Sequence, residues 1–271
     1  MQKERPKIGL ALGCGGTRGY AHIGVIKVLE RNKIPVDFIV GSSVGAIIGS
    51  HYALFKDIQK LEEIVLSTNW RRILSLIDFS FRGGIIRGAK TAEFINQTLK
   101  NATFLQLKIP FVAIATDFKN GEMIELSEGK VALAVQASMS VPFLFKPILL
   151  QDKLLFDGGI SDSVPVETTR RMGADIVIAV NLINKSVFNK KPLIKDKHLT
   201  PQRSIYFLHY NLSKKCAASA DVVIEPLIRY LGFGGISKLL KGKVKDMILE
   251  GEKSAELVLP RIKELIKHRA I

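Results

Sequence analysis

Apolar residues along this chain follow two rhythms. Short unbroken runs of strand type alternate with longer stretches in which apolar positions return every three or four residues. Ile8-Gly9-Leu10-Ala11-Leu12 reads as a buried first strand, and Tyr20 to Arg31 as a helix with Ile23, Val25, Ile26 and Leu29 on its apolar side. Pro35 to Val40 is a second strand. Helices follow over Val44 to Phe55 and around Ile58, Leu61, Ile64 and Val65, and Lys90 to Leu99 is another. Ile109 to Asp117 is a strand that turns at Asn120-Gly121 and returns over Met123 to Leu126, a hairpin-like pair at a sheet edge. Lys130 to Ser138 is helical. Val141 to Pro147 is a stiff apolar loop, suited equally to lining an acyl pocket and to ordinary burial. Lys153 to Phe156 is a short strand. Pro165 fits the first position of a helix and Gly173 the stop just beyond it. Ala174 to Val180 is a strand, Arg203 to Cys216 a helix, and Asp221 to Glu225 a last strand.

Strands alternating with helices in this way predict an α/β fold, a mainly parallel sheet covered on both faces. Residues 241–271 place Val244, Met247, Ile248, Gly251, Ala255, Val258, Ile262, Leu265 and Ile266 on one face, the stripe of an amphipathic helix. Such a helix docks on the sheet or lies on a membrane, and Pro260 is expected to break or kink it. Residues 184–202 are polar and lysine-rich, the best loop candidate. Trp70 to Arg82 mixes the chain's one tryptophan with two phenylalanines and three arginines, an interfacial composition. It also suits a segment packed over the core. No internal repeat or linker divides the chain, so 1–271 reads as a single domain.

Composition narrows the function. A chain of 271 residues that is 47% hydrophobic can build a large core. Cys14 and Cys216 are its two cysteines, too few for a disulfide framework and without metal-ligand spacing. The charged stretch Met1 to Lys7 is not a signal peptide, and no apolar run reaches the ~18 residues of a spanning helix. These features point to a cytoplasmic protein, at most peripheral at the inner membrane face. The net charge is +15, and the part from Lys185 onward holds 18 Lys+Arg against 8 Asp+Glu. A basic surface of this kind attracts an anionic membrane or serves solubility. Nucleic acid is not expected, because aromatics make up only 7% and no nucleic-acid motif is present.

Chemistry enters at the strand ends. The first strand runs into Gly13-Cys14-Gly15-Gly16-Thr17-Arg18-Gly19, ahead of a helix. Backbone N–H groups in such a loop can hold an anion, either a phosphate or an acyl-transfer oxyanion. A dinucleotide fingerprint fails, since Arg18 stands where its third glycine belongs, and no Gly-Lys-Ser/Thr completes a P-loop. The second strand ends in Gly41-x-Ser43-x-Gly45, a nucleophile-elbow pattern with Ser43 at its apex. A serine needs a base. His22, His51, His198, His209 and His268 all lie away from strand ends and read as ordinary histidines. Asp157, in Asp157-Gly158-Gly159, does sit at a strand's end, where open α/β sheets place their sites.

Taken together, these stretches resemble the patatin-like phospholipase family. The resemblance is carried by Gly9 to Gly19, Ala21-His22-Ile23-Gly24-Val25, Gly41-Ser42-Ser43-Val44-Gly45, Ala137 to Pro142, Phe156-Asp157-Gly158-Gly159 and Val164-Pro165-Val166. It implies a three-layer α/β/α sandwich and a dyad of Ser43 as nucleophile and Asp157 as proton acceptor. It also implies an oxyanion hole around Gly15, Gly16, Thr17 and Arg18, and needs no metal or cofactor. The implied activity is a serine acyl hydrolase of phospholipid, lysophospholipid or other fatty-acyl esters, with peripheral contact to anionic membrane. Cys14 departs from the family, which usually has glycine there. If the loop needs positive φ at position 14, the oxyanion geometry changes. Cys14 and the basic C-terminal third support a second reading, a catalytically weak or inactive lipid- or membrane-binding protein of the same fold.

Overall fold

The strand at the start of the chain forms the middle of the sheet. In a computed structural model that describes residues 5–67, 89–142, 144–185, 200–228 and 243–269, all five residues of β1 (Ile8–Leu12) are buried. β1 pairs in parallel with β2 (Phe38–Ser42) and β7 (Ile176–Val180). β8 (Val222–Ile224) extends this array beside β7, and β3 (Phe111–Asp117) extends it beside β2, both in parallel. β4 (Met123–Leu126), β5 (Ile148–Leu150) and β6 (Lys153–Asp157) complete an eight-stranded sheet through antiparallel pairs. The sheet is therefore mostly, not purely, parallel. Its path runs β5-β6-β3-β2-β1-β7-β8, with β4 also paired to β3.

The register around β3 matters most for the site. Ala113 and Ile114 pair with β2 on one side and β4 on the other, and Ala115 and Thr116 pair with β4 and β6. A strand residue has only two sides. β2 and β6 therefore share one edge of β3, end to end. β2 runs parallel to β3 and β6 antiparallel, so their C-terminal ends meet.

Side chains alternate between the two faces of the sheet. Ile8, Leu10, Leu12 and Ile39 enter a large cluster with α1 (Tyr20–Arg31), α2 (Val44–Phe55), α3 (Ile58–Ser67), α4 (Ala89–Thr98), α5 (Val131–Ser138) and α8 (Lys243–His268). Ala11, Val177 and Ala179 face the other way, toward α6 (Val166–Arg171) and the end of α7 (Thr200–Ala217). This is the expected α/β/α sandwich.

The C-terminal helix docks on α1. A Cβ at Gly24 would lie 1.9 Å from the Ile248 carbonyl oxygen, and one at Gly251 would lie 2.1 Å from that of Ala21. Backbone meets backbone there, and Lys27 adds ion pairs to Glu62 and Glu252. Of the break or kink expected at Pro260, the break does not occur, because α8 runs through it. Pro260 is exposed, so water can satisfy the Glu256 carbonyl that the missing N–H leaves free. β5 is an element that the sequence reading does not include, since three residues give no alternation to recognise. Pro165 caps α6 from just outside instead of occupying its first turn, while Gly173 at φ 101° is the expected stop. Helix α7 begins at Thr200, inside the 184–202 loop range. The rest of that loop beyond Lys185, with His198, and the Trp70 to Arg82 segment lie outside the described residues.

Candidate active site

Ser43 follows the last residue of β2 and precedes the first of α2. Its backbone has φ 55° and ψ −119°, a conformation L-residues adopt only under constraint. Two features hold it. Its N–H donates to Ser138 Oγ at 2.9 Å, and Gly45 lets the turn close against the sheet, since a Cβ there would lie 2.1 Å from the Leu12 carbonyl oxygen. The resulting elbow lifts the serine out of the strand line. The hydroxyl Oγ donates to Asp157 Oδ2 at 2.5 Å, and both residues are buried.

Asp157 is itself fixed on all sides. Its N–H donates to the Ser140 carbonyl at 3.1 Å, its carbonyl accepts from Thr116 Oγ1 at 2.8 Å, and its Oδ1 accepts from the Gly159 N–H at 2.8 Å. Burial raises its pKa to about 6, against the pull of the Ser43 and Gly159 hydrogen bonds that favour the charged form. A carboxylate of that basicity at hydrogen-bond distance from a hydroxyl is equipped to accept its proton.

The glycine loop passes beside this pair. Its stem is tied to the sheet by Gly13 N–H to the Val180 carbonyl (3.0 Å) and Cys14 N–H to the Ser163 carbonyl (2.9 Å). His22 Nε2 donates to the Gly13 carbonyl at 2.8 Å. Burial lowers the pKa of His22 to about 4, so this prop is neutral at pH 7. Among the described residues, the N–H groups of Gly15, Gly16 and Thr17 have no acceptor, and Gly16 and Thr17 are exposed. Three free amides in succession form an anion-binding concavity. Positive φ falls on Gly16, at 57°, and not on Cys14. The strain expected from a side chain at position 14 therefore does not arise.

Arg18 is 6% exposed, and its Nε and Nη2 have no hydrogen-bond partner among the described residues. Burial lowers its pKa, and Tyr206 and Cys14 face its charge. It supplies a fixed positive field under the loop.

Sequence reasoning did not single out His209. Helix α7 brings its Nε2 to 3.1 Å from Cys14 Sγ, over the stem of the glycine loop. Tyr206 and Tyr210, on the same face of α7, pack with Cys14 and Ile183. Burial lowers the pKa of His209, with the charge of Arg18 acting in the same direction, while the nearby Gly159 carbonyl opposes it. Burial and the Asp157 charge drive the Cys14 thiol upward, which keeps it protonated and unreactive. Its spacing from Tyr206 and Tyr210 placed His209 on one helix face, but the sequence held no sign that this face meets Cys14. His51 bonds to Ile47 and Thr98 inside the helical layer, and exposed His268 sits at the end of α8, both away from the dyad. Among the described residues, no cluster of His, Cys, Asp and Glu is placed to hold a metal ion.

A small cleft opens beside Ser140, lined by Met139, Phe145, Lys146 and Ile148 with Gln136 and Thr91. Phe145 and Lys146 come from the Val141 to Pro147 segment, for which pocket lining and ordinary burial are equal expectations. Phe143 lies outside the described residues.

Comparison with known proteins agrees with the fold and the motifs. The solved structure of VipD from Legionella pneumophila superposes with a TM-score of 0.55 at 13% identity, covering 95% of this chain and 67% of that one. The type III effector ExoU gives 0.50 at 11% identity, covering 96% and 54%. An uncharacterised NTE family protein of Mycobacterium tuberculosis is 36% identical over 178 residues, 65% of this chain and 49% of its own length. Lysophospholipase nte1 of Aspergillus fumigatus is 33% identical over 185 residues, 65% of this chain and 12% of its own. The chain thus matches about half of the mycobacterial relative and a small part of the fungal one. The family model for patatin-like phospholipase matches residues 10–170, a stretch that runs from the first strand past Asp157, and the chain belongs to that family.

Proposed function

We propose that the protein is a serine acyl hydrolase of lipid esters that works through Ser43 and Asp157. The observation that carries this reading is the 2.5 Å hydrogen bond from Ser43 Oγ to a buried carboxylate whose pKa is raised to about 6. Ser43 Oγ attacks the ester carbonyl while its proton passes to Asp157. The carbonyl oxygen becomes an oxyanion and takes hydrogen bonds from the amides of Gly15, Gly16 and Thr17, with the Arg18 charge behind them. Collapse expels the alcohol, which takes the proton from Asp157. Water, deprotonated by the same carboxylate, then attacks the acyl-enzyme and releases the fatty acid. A histidine is not required, because Asp157 touches the nucleophile directly and is basic enough to serve. Each oxyanion donor of this kind is worth about 3 kcal/mol in the transition state.

Support for a lipid ester as the substrate comes from family membership and from the relatives named as lysophospholipases. The test is hydrolysis of a soluble short-chain p-nitrophenyl ester and of a lysophospholipid by wild type and Ser43→Ala. Loss of both activities in the variant supports the reading, and turnover that survives it overturns the role of Ser43.

A further inference from the structure

Helices cover the two faces of the sheet unequally. On the α6 side, that helix has only six residues and lies over β1, β2 and β7. Met172, just past its end, still packs with Val112, Ile114 and Met123. Beyond them the same face continues across the outer strands. Thr116 pairs with Phe156, and Leu149 pairs with Leu154, so Leu149, Leu154, Phe156 and Phe118 share that face. The Phe118 and Phe156 rings meet edge to face with centroids 5.0 Å apart. Leu149 is 71% exposed and Phe118 56%. On the opposite face Leu155 and Ile148 join the main core beneath α5. An exposed apolar face on an edge ribbon invites association, and it persists where it has a partner.

The position of this face is specific. β3 runs on past Ile114, where Ser42 ends β2, and β6 and β5 flank that extension. The ribbon therefore stands up from the edge of the sheet that carries Ser43. Exposed Lys119 follows Phe118 at its rim, with no ion pair among the described residues, while Lys153 falls with Leu155 on the opposite face. Asp152 and Glu122 lie in the neighbouring turns, Glu122 held by Asn120, so attraction to anionic lipid comes from the chain as a whole, which carries +15. Lys146 also lines the cleft at Ser140, whose carbonyl accepts the Asp157 N–H.

We propose that this ribbon face docks the protein on a bilayer containing anionic lipid. Phe118 and Leu149 enter the acyl boundary and Lys119 meets the head groups. The proposal rests on the lipid-hydrolase reading and adds the surface from which that site is supplied. A second copy of the chain fits less well, because four side chains fall far short of the roughly 800 Å² per partner of a stable interface. Two chains of +15 also repel.

The test is co-sedimentation of the full chain with vesicles of phosphatidylcholine alone or mixed with phosphatidylglycerol, at low and high salt. Phe118→Ser and Leu149→Ser each weaken binding to anionic vesicles by about tenfold, and Lys119→Glu by at least about fivefold. Leu257→Ser, at an equally bare leucine on α8 (82% exposed), leaves binding unchanged. Leu149 sits on an edge strand, so its variant remains informative if Phe118→Ser fails to fold. Wild-type binding by all three ribbon variants, or no binding by wild type, overturns the proposal. So does a concentration-dependent dimer that Leu149→Ser dissolves. Turnover of a soluble ester needs no bilayer, so failure of the hydrolase reading appears there and failure of the docking surface appears in the vesicle assay.

Discussion

Ser42 and Asp157 occupy successive places along one edge of β3, Ser42 opposite Ile114 and Asp157 opposite Ala115, although their strands run toward each other. This head-on arrangement brings the two motifs together. The elbow begins where β2 stops, and the carboxylate sits where β6 stops. The Ser43–Asp157 hydrogen bond at 2.5 Å is a consequence of strand register more than of loop conformation.

The pH profile follows from the carboxylate. With its pKa raised to about 6, Asp157 must be ionised to accept the proton, so kcat/KM for a soluble ester falls tenfold per pH unit below about pH 6 and is flat above it. Asp157→Asn lowers kcat by at least about a thousandfold at pH 8. A profile with no acid limb near pH 6 removes Asp157 as the base.

The same burial makes Asp157 a burden on the fold. Its folded pKa, about 6, lies above the 3.8 of an ordinary aspartate. Its contribution is therefore most favourable below the unfolded pKa and is lost as pH rises through 6. Asp157→Asn is expected to be more stable than wild type at pH 8 by up to about 3 kcal/mol, less whatever the Ser43 bond returns, with the difference vanishing near pH 4. His22 has the opposite sign. Its folded pKa of about 4 lies below the usual 6.5, so it costs stability as pH falls from 6.5 toward 4. The two opposing effects overlap in wild type, and acid unfolding of Asp157→Asn begins at higher pH relative to its own maximum. Denaturant midpoints measured from pH 4 to 8 read both effects.

Position 14 and position 159 are coupled through space. A Cβ at Gly159 would lie 2.8 Å from Cys14 Sγ and 3.0 Å from both Cys14 Cβ and Asp157 Oδ1. Gly159→Ala alone is expected to cost about 1–3 kcal/mol and most of the activity. In the Cys14→Gly background part of that cost disappears, giving a coupling energy of roughly 1 kcal/mol in the double-mutant cycle. Strict additivity refutes the contact.

His209 closes α7 over the loop through its 3.1 Å contact with Cys14. His209→Ala is expected to lower kcat about tenfold with little change in KM, by loosening the stem of the oxyanion loop. His209→Gln, which keeps a polar group of similar length, recovers part of the loss. An unchanged kcat in the alanine variant limits α7 to a packing role.

Much of this architecture is legible in the chain. Buried strands such as Ile8 to Leu12 and Ile176 to Val180 are unbroken apolar runs, and the elbow and Asp-Gly-Gly motifs carry their own backbone requirements. What could not be read was long-range register. Nothing local to Lys153-Leu154-Leu155-Phe156 tells it to continue the edge of β3 that β2 leaves, and the three residues of β5 carry no periodic signal. The Cys14–His209 contact escaped for the same reason, its partners being 195 positions apart. Pro260 leaves α8 unbroken because it is exposed, which the sequence does not state.

Covalent capture of the nucleophile tests the central claim most directly. Wild-type protein is treated with a fluorophosphonate probe and the modified peptide is located by mass spectrometry, alongside Asp157→Asn and Ser43→Ala. The account predicts one adduct, on Ser43, formed far more slowly in Asp157→Asn and absent in Ser43→Ala. An adduct on Ser42, or labelling of Ser43 at an undiminished rate without the Asp157 carboxylate, would contradict the dyad.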